Sequence, residues 1–204
     1  MIAIIDYGLG NIRAFANIFK NLAIPFKIVS RPQELQDANK LILPGVGAFD
    51  HAMERLEATG MREPLNELVM NRGLPVLGVC VGMQILARSS EEGKLPGLSW
   101  VDGAVKRLRS QTDSESLLTP HMGWNDLCRV SSNKMMHGLG AGSSFYFLHS
   151  YYLQCDKPED AVAEVDYGGP FTCAVNSGNI YGVQFHPEKS HENGVQLLGN
   201  FAAL

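Results

Sequence analysis

The chain is poor in the features that mark most specialised classes of protein. Its 204 residues include four cysteines, Cys80, Cys128, Cys155 and Cys173, and no two of them form a C-x-x-C pair. That excludes the common zinc spacings and predicts free thiols in a reducing compartment. His191-Glu192 starts a metalloprotease-like pattern, but Val195 stands where its second histidine belongs, so no metal is expected. Basic excess is missing too: a formal charge of -4 offers little to a phosphate backbone and predicts no nucleic-acid partner. No apolar run reaches the length of a bilayer span, so no membrane association is expected, and IAIID at the start carries no basic leader, which predicts a cytoplasmic protein. The nucleotide fingerprints fail as well. Asp6-Tyr7-Gly8-Leu9-Gly10-Asn11 joins a strand to a helix, but Arg13 occupies the place of the third glycine and no phosphate-binding P-loop follows. That segment is read as a turn, and no cofactor is expected. Repeats, low-complexity tracts and long linkers are also absent.

What remains is an ordinary α/β pattern in a length suited to one domain, residues 1–204. Strands are expected at 2–7, 25–30 and 40–44, and helices at Asn11–Leu22, Phe49–Ala58 and Met61–Arg72. A strand at VLGV, starting at Val76, is followed by a helix over MQILARS. This order favours parallel pairing through crossover helices. From Gly103 to Val183 short strands follow one another: AVKRL, SFYFLHSYYL, AVAEVDY, FTCAV and IYGVQF. A last helix runs from about Asn193 to Ala203, and RSQTDSES (109–116) reads as a surface loop. The expected architecture is three-layered, a mostly parallel central sheet flanked by helices, flavodoxin-like, with antiparallel strands added in the second half.

Chemistry concentrates in Val76 to Gln84, VLGVCVGMQ. Gly78, Val79, Cys80, Val81 and Gly82 form the sulfur version of a G-x-S-x-G nucleophile elbow at a strand-to-helix turn. A helix starting just after Cys80 would offer unpaired N–H groups and a positive dipole end to a thiolate. The alternative is a small buried apolar residue at a strand end. Cys128, Cys155 and Cys173 lack such a setting and are read as structural, while His51, His137 and His191 are read as surface residues. A thiolate needs a base, and the base an orienting acceptor. GVQFHPEKS supplies both: Pro187 holds His186 extended, and side chains two apart on extended backbone share a face, which sets Glu188 beside His186. The alternative is a strand-capping histidine and a solvated glutamate. The Val81 N–H and the Pro44-Gly45-Val46-Gly47 loop are candidate oxyanion donors; the alternative for the loop is an ordinary strand-to-helix turn. Gln84 falls on the nucleophile's helical face, where its amide could hold substrate or cap backbone groups.

PGVG, GVCVGMQ and FHPE, in this order and at these separations, resemble the class I (triad-type) glutamine amidotransferases. DYGLGNI, PHMGWN (120–125) and YFLHSYY (146–152) are similar, within that class, to the glutaminase subunits of imidazole glycerol phosphate synthases. The likeness spans nearly the whole chain; its one small departure is Val81, where the family often has leucine. The resemblance implies that Cys80 attacks the glutamine side-chain amide, His186 shuttles protons and Glu188 orients His186. It implies that Gly45, Val46 and Gly47 contact glutamine or complete the oxyanion hole, and that Gln84 with His149 and Ser150 holds its amino-acid end. It further implies a heterodimer with a (β/α)8-barrel cyclase that consumes the ammonia in histidine biosynthesis, with Asn11, Trp124, Tyr146 and Lys189 at or near the docking face. For Trp124 and Tyr146 the alternative is a core aromatic, and for Lys189 a solvated charge. Weak basal activity, raised by a liganded partner, is expected. Three other readings stay open: a paralogue feeding a sugar-amidinating synthase in surface polysaccharide synthesis, a non-catalytic scaffold, and a stand-alone cysteine hydrolase or peptidase.

Overall fold

The first half of the chain alternates strand and helix as its apolar periodicity requires, in a computed structural model that describes residues 1–109 and 117–204. Strand β1 (Ile2–Ile5) leads to α1 (Ile12–Asn21), β2 (Phe26–Val29), β3 (Lys40–Gly45), α2 (Phe49–Ala58), α3 (Arg62–Asn66), β4 (Val76–Cys80) and the single turn α4 (Val81–Gln84). Every residue of β1 and β4 is buried, which requires cover on both faces of the sheet. Helices supply that cover. In α1, for example, Phe15 and Phe19 sit four residues apart on one face, and both are fully buried.

The second half is mostly strand: β5 (Ser89–Ser90), β6 (Gly103–Arg107), β7 (His121–Val130), β8 (Ser144–His149), β9 (Tyr151–Cys155), β10 (Ala161–Asp166), β11 (Pro170–Ser177) and β12 (Ile180–Val183), closed by α5 (His191–Ala203). Among the described residues these strands form a nine-stranded sheet, ordered β2-β1-β3-β4-β12-β11-β10-β7-β8, and a three-stranded one, β5-β6-β9. The large sheet is parallel from β2 through β4 to β12 and antiparallel from β12 to β8. It is thus a mixed sheet whose parallel half comes mainly from the N-terminal part of the chain. Strand β12 returns from the far end of the sequence to lie beside β4, with Val183 opposite Val79. That pairing brings the segment after Val183 next to Cys80.

Three elements differ from the sequence reading. The helix expected over MQILARS begins earlier, at Val81, and ends at Gln84. It stops because the carbonyls that would continue it are taken from a distance: Ile85 accepts from Leu98, and Leu86 from both Trp100 and Val101. The SFYFLHSYYL segment is two strands in two sheets, broken at Ser150. PHMGWN, expected only as a motif, supplies from His121 onward the start of the ten-residue strand β7. Residues 110–116, most of the expected surface loop, lie outside the described residues.

Candidate active site

Cys80 ends β4 in a conformation that L-residues rarely adopt, φ +56° and ψ -113°, before α4 turns away. The strain of the elbow therefore rests on the cysteine itself. The glycines around it serve a different need, close approach of bare backbone. A Cβ on Gly82 would lie 1.9 Å from the Leu43 carbonyl oxygen, one on Gly78 2.6 Å from the Gly82 oxygen, and one on Gly45 2.4 Å from the Gly82 nitrogen. Only glycine fits at these three points, so β3, β4 and α4 meet there without side chains. With a single helical turn, α4 has little macrodipole; its contribution is the amide at Val81.

His186 lies three residues beyond the end of β12 and reaches Cys80 across the β4–β12 seam. Its Nδ1 lies 2.9 Å from Glu188 Oε1, and both side chains are almost fully buried. The carboxylate can only accept, so Nδ1 carries a proton and Nε2 is left for the sulfur. Burial alone would lower the imidazole's affinity for its second proton. Hydrogen bonds to Cys80 and Glu188, together with their charge, outweigh burial and raise the His186 pKa to about 9. The other Glu188 oxygen, Oε2, is buried without a partner among the described residues. Ser190 fixes the backbone of this loop: its hydroxyl donates to the His186 carbonyl at 2.6 Å and accepts from the Tyr146 N–H at 3.0 Å.

A cavity of about 280 Å³ opens over the sulfur, bounded by Val46, Gly47, Val81, His149, Ser150 and His186. Gly45 is not on this surface; it is buried beneath the elbow. Gln84 also reaches the cavity, but both hydrogens of its amide are used, one on the Tyr151 carbonyl at 2.9 Å and one on Gln184 Oε1 at 3.1 Å. The His149 ring is likewise occupied, with Nδ1 on the Tyr151 carbonyl and Nε2 on His121. At 149–150 the side chain left to meet a ligand is that of Ser150.

Two further residues were not singled out by the sequence. Gln184 is fully buried and donates to the Cys80 sulfur at 3.8 Å. Glu92 lines the cavity and accepts the Phe49 N–H at 2.8 Å, so it also holds the exit of the PGVG loop. Gln184 could be found as a polar residue interrupting an apolar strand. Nothing local separates Glu92 from Glu91, which instead binds the Arg107 N–H and Lys106.

Trp124 and Tyr146 are cross-strand partners on β7 and β8, their rings edge-to-face at 6.1 Å. Trp124 is 49% exposed and Met122 62%, so this face is apolar and open rather than core. The Lys189 ammonium lies 5.6 Å from the Tyr146 ring, and His191 stacks on Trp124 at 5.1 Å. Asn11 is exposed at the start of α1. The remaining cysteines are free thiols: Cys173 is buried, Cys155 half-buried and Cys128 exposed on β7. Among the described residues no helix is long and apolar enough to cross a membrane.

The chain as a whole is similar to known proteins. Residues 3–203 match the family model for glutamine amidotransferase class-I. The chain is 53% identical to the imidazole glycerol phosphate synthase subunit HisH of Leptospira interrogans and 54% identical to that of Bdellovibrio bacteriovorus, each alignment covering both chains completely. A crystal structure described as a glutamine amidotransferase superposes with a TM-score of 0.76 at 19% identity, covering 100% of this chain and 99% of the other. That likeness bears on the fold alone and agrees with the α/β sheet. With its whole length matched and over half of its residues shared with such subunits, the chain belongs to the class I glutamine amidotransferase family of enzymes.

Proposed function

We propose that the chain is a glutaminase subunit that releases ammonia from glutamine for a synthase acting in histidine biosynthesis. The observation that carries this is the pairing of a strained, glycine-flanked Cys80 with a Glu188-held His186 at the floor of one cavity. In this reading the Cys80 thiolate attacks the side-chain carbonyl carbon of glutamine. The C–N bond breaks as His186, which keeps its second proton to about pH 9, gives that proton to the departing amine. Ammonia leaves and a glutamyl thioester remains. Water, losing a proton to His186, then attacks the thioester, and glutamate and the thiolate are regenerated. The Val81 N–H, with backbone from Val46 and Gly47, meets the oxyanion, an interaction worth roughly 3–4 kcal/mol per donor in comparable sites. Ser150 and the Glu92 carboxylate, both on the cavity, suit the amino-acid end of the substrate, Glu92 by charge toward the ammonium.

The partner in this reading is a (β/α)8-barrel cyclase that forms imidazole glycerol phosphate and an aminoimidazole carboxamide ribotide in the cytoplasm. The open face of Met122, Trp124, Tyr146 and Lys189, with Asn11, is its docking surface. Ammonia handed over directly escapes protonation in water. Identity above half with subunits named for this synthase favours it over a sugar-amidinating one. The test is glutamine-dependent synthesis by the complex. Cys80→Ala is expected to abolish it while added ammonium still supports the cyclase; retained glutamine use in Cys80→Ala would end the proposal. Failure of the wild-type chain to complement a histidine auxotroph lacking this subunit would point to the other pathway.

A further inference from the structure

Two histidines that take no part in cleavage meet at the cavity wall, His149 lining it and His121 behind it. His121, the first residue of β7, and His149, the last of β8, are register partners and are 3% and 6% exposed. His149 Nδ1 is 2.8 Å from the Tyr151 carbonyl oxygen, which can only accept, so Nδ1 carries the proton. Nε2 of that neutral ring is then an acceptor. It faces His121 Nδ1 at 3.0 Å, so the His121 proton sits there. His121 Nε2 in turn accepts from the Asn125 amide at 3.2 Å. The second Asn125 amide hydrogen goes to the Asp166 carbonyl at 2.9 Å, and the Asn125 oxygen takes the Asp126 N–H at 2.8 Å, so this amide has one orientation. Every hydrogen in the row is thus assigned from its two ends. Burial holds both rings neutral, lowering His121 to about 4 and His149 to about 3. The row ends at a carbonyl that also takes the Gln84 amide; Gln84 donates to Gln184, and Gln184 to the Cys80 sulfur.

We propose that His121 is a positioning residue for the glutamine pocket: its Nδ1–H fixes the His149 ring, which clamps the Tyr151 carbonyl and with it the Ser150 bend of the wall. Without that donor the His149 ring loses the bond that sets its rotation, and the bend between the two sheets loosens. This inference rests on the glutaminase reading for its kinetic consequence, though not for its geometry. The ring of His121 also stacks on Tyr167 at 4.1 Å and Phe147 at 4.7 Å, so donation and packing have to be separated.

Two variants separate them. His121→Phe keeps an aromatic ring in the stack and removes the donor, whereas His121→Asn gives up the ring and returns an amide N–H near the place of Nδ1. In the intact complex, His121→Phe is expected to raise the KM for glutamine about ten-fold with kcat within about two-fold, and His121→Asn to recover most of that loss. The reverse order, with His121→Phe near wild type and His121→Asn impaired, would assign His121 to packing and overturn the proposal. A second measurement needs no turnover. In the wild-type chain, nitrogen NMR should show a coupling across the hydrogen bond between His121 Nδ1 and His149 Nε2, and its absence would overturn the geometry. A wild-type complex that releases no ammonia from glutamine would sink the glutaminase reading instead, and the NMR result would decide the His121–His149 link independently.

Discussion

The hydroxyl of Tyr7, a fully buried ring, donates to the Pro44 carbonyl at 2.7 Å. This single bond fastens the turn after β1 to the PGVG loop. A Cβ on Gly10, in the same turn, would lie 2.6 Å from Pro44 Cβ, so the turn also packs directly on the loop. Tyr7→Phe leaves the ring in place and the Pro44 carbonyl buried without its donor. The expected loss is about 1–3 kcal/mol in urea unfolding. Glutaminase kcat should fall more than KM rises, because under the proposed function the loop carries oxyanion donors. Unchanged stability and kcat would refute the role given to Tyr7.

The glycines near the sulfur should differ sharply in tolerance. Gly82→Ala forces a Cβ to 1.9 Å from the Leu43 oxygen, with backbone on both sides. It is expected to destabilise by about 3 kcal/mol or more. Gly47 has φ +89° but open space around it, so Gly47→Ala should lose only about 1–2 kcal/mol, from backbone conformation. Chemical denaturation of both variants checks the ranking.

Stability should peak near pH 6.5. His186 is protonated in the fold up to about pH 9; its contribution is complete below 6.5 and is lost as pH rises from there through 9. His121 and His149 act in the opposite direction. They stay neutral in the fold, so the unfolded chain gains protons that the folded one does not as pH falls below 6.5, and stability declines toward pH 4. Glu188→Gln removes one of the groups that hold the His186 proton. Its titration, followed by imidazole NMR, should move down, and the basic limb of the glutaminase profile with it. A limb fixed near pH 9 in that variant would contradict the pairing.

Ser190→Ala removes two bonds of the His186 loop, one within it to the His186 carbonyl and one from the Tyr146 N–H of β8, and leaves the His186 N–H on the Tyr146 carbonyl. With about 1 kcal/mol for each bond, a loss near 2 kcal/mol is expected, together with a lower kcat at similar KM. Steady-state kinetics and thermal unfolding of this variant test it.

Cys80 and His186 could be singled out as candidates in the sequence because each carries a short-range signal: two glycines around Cys80, and Pro187-Glu188 directly after His186, although Glu188 meets the imidazole from a 3-10 turn, Pro187–Lys189, and not from extended backbone. The supporting residues were not. Gln84 stands on the expected face, yet its amide is committed to Tyr151 and Gln184, partners that only the sheet order supplies. The helix after Cys80 looked longer because nothing local announces that Trp100 and Val101 will take the Leu86 carbonyl. Strand β7 escaped notice because its pattern is inverted. Its apolar Met122 and Trp124 face outward, while polar His121 and Asn125 point into the fold. Under the proposed function that outer face docks the synthase.

Strand β12 lies in the middle of the large sheet, between β4 and β11, although it is made after all the other strands. A nascent chain that has already formed β4 therefore exposes the edge on which Cys80 sits until residues 180–183 arrive and close it. His186 follows immediately. Completion of the sheet and the meeting of Cys80 with His186 are thus one event, late in synthesis. Any product cut short before β12 would carry an open strand edge and a Cys80 without His186: prone to aggregate and, under the proposed function, unable to release ammonia.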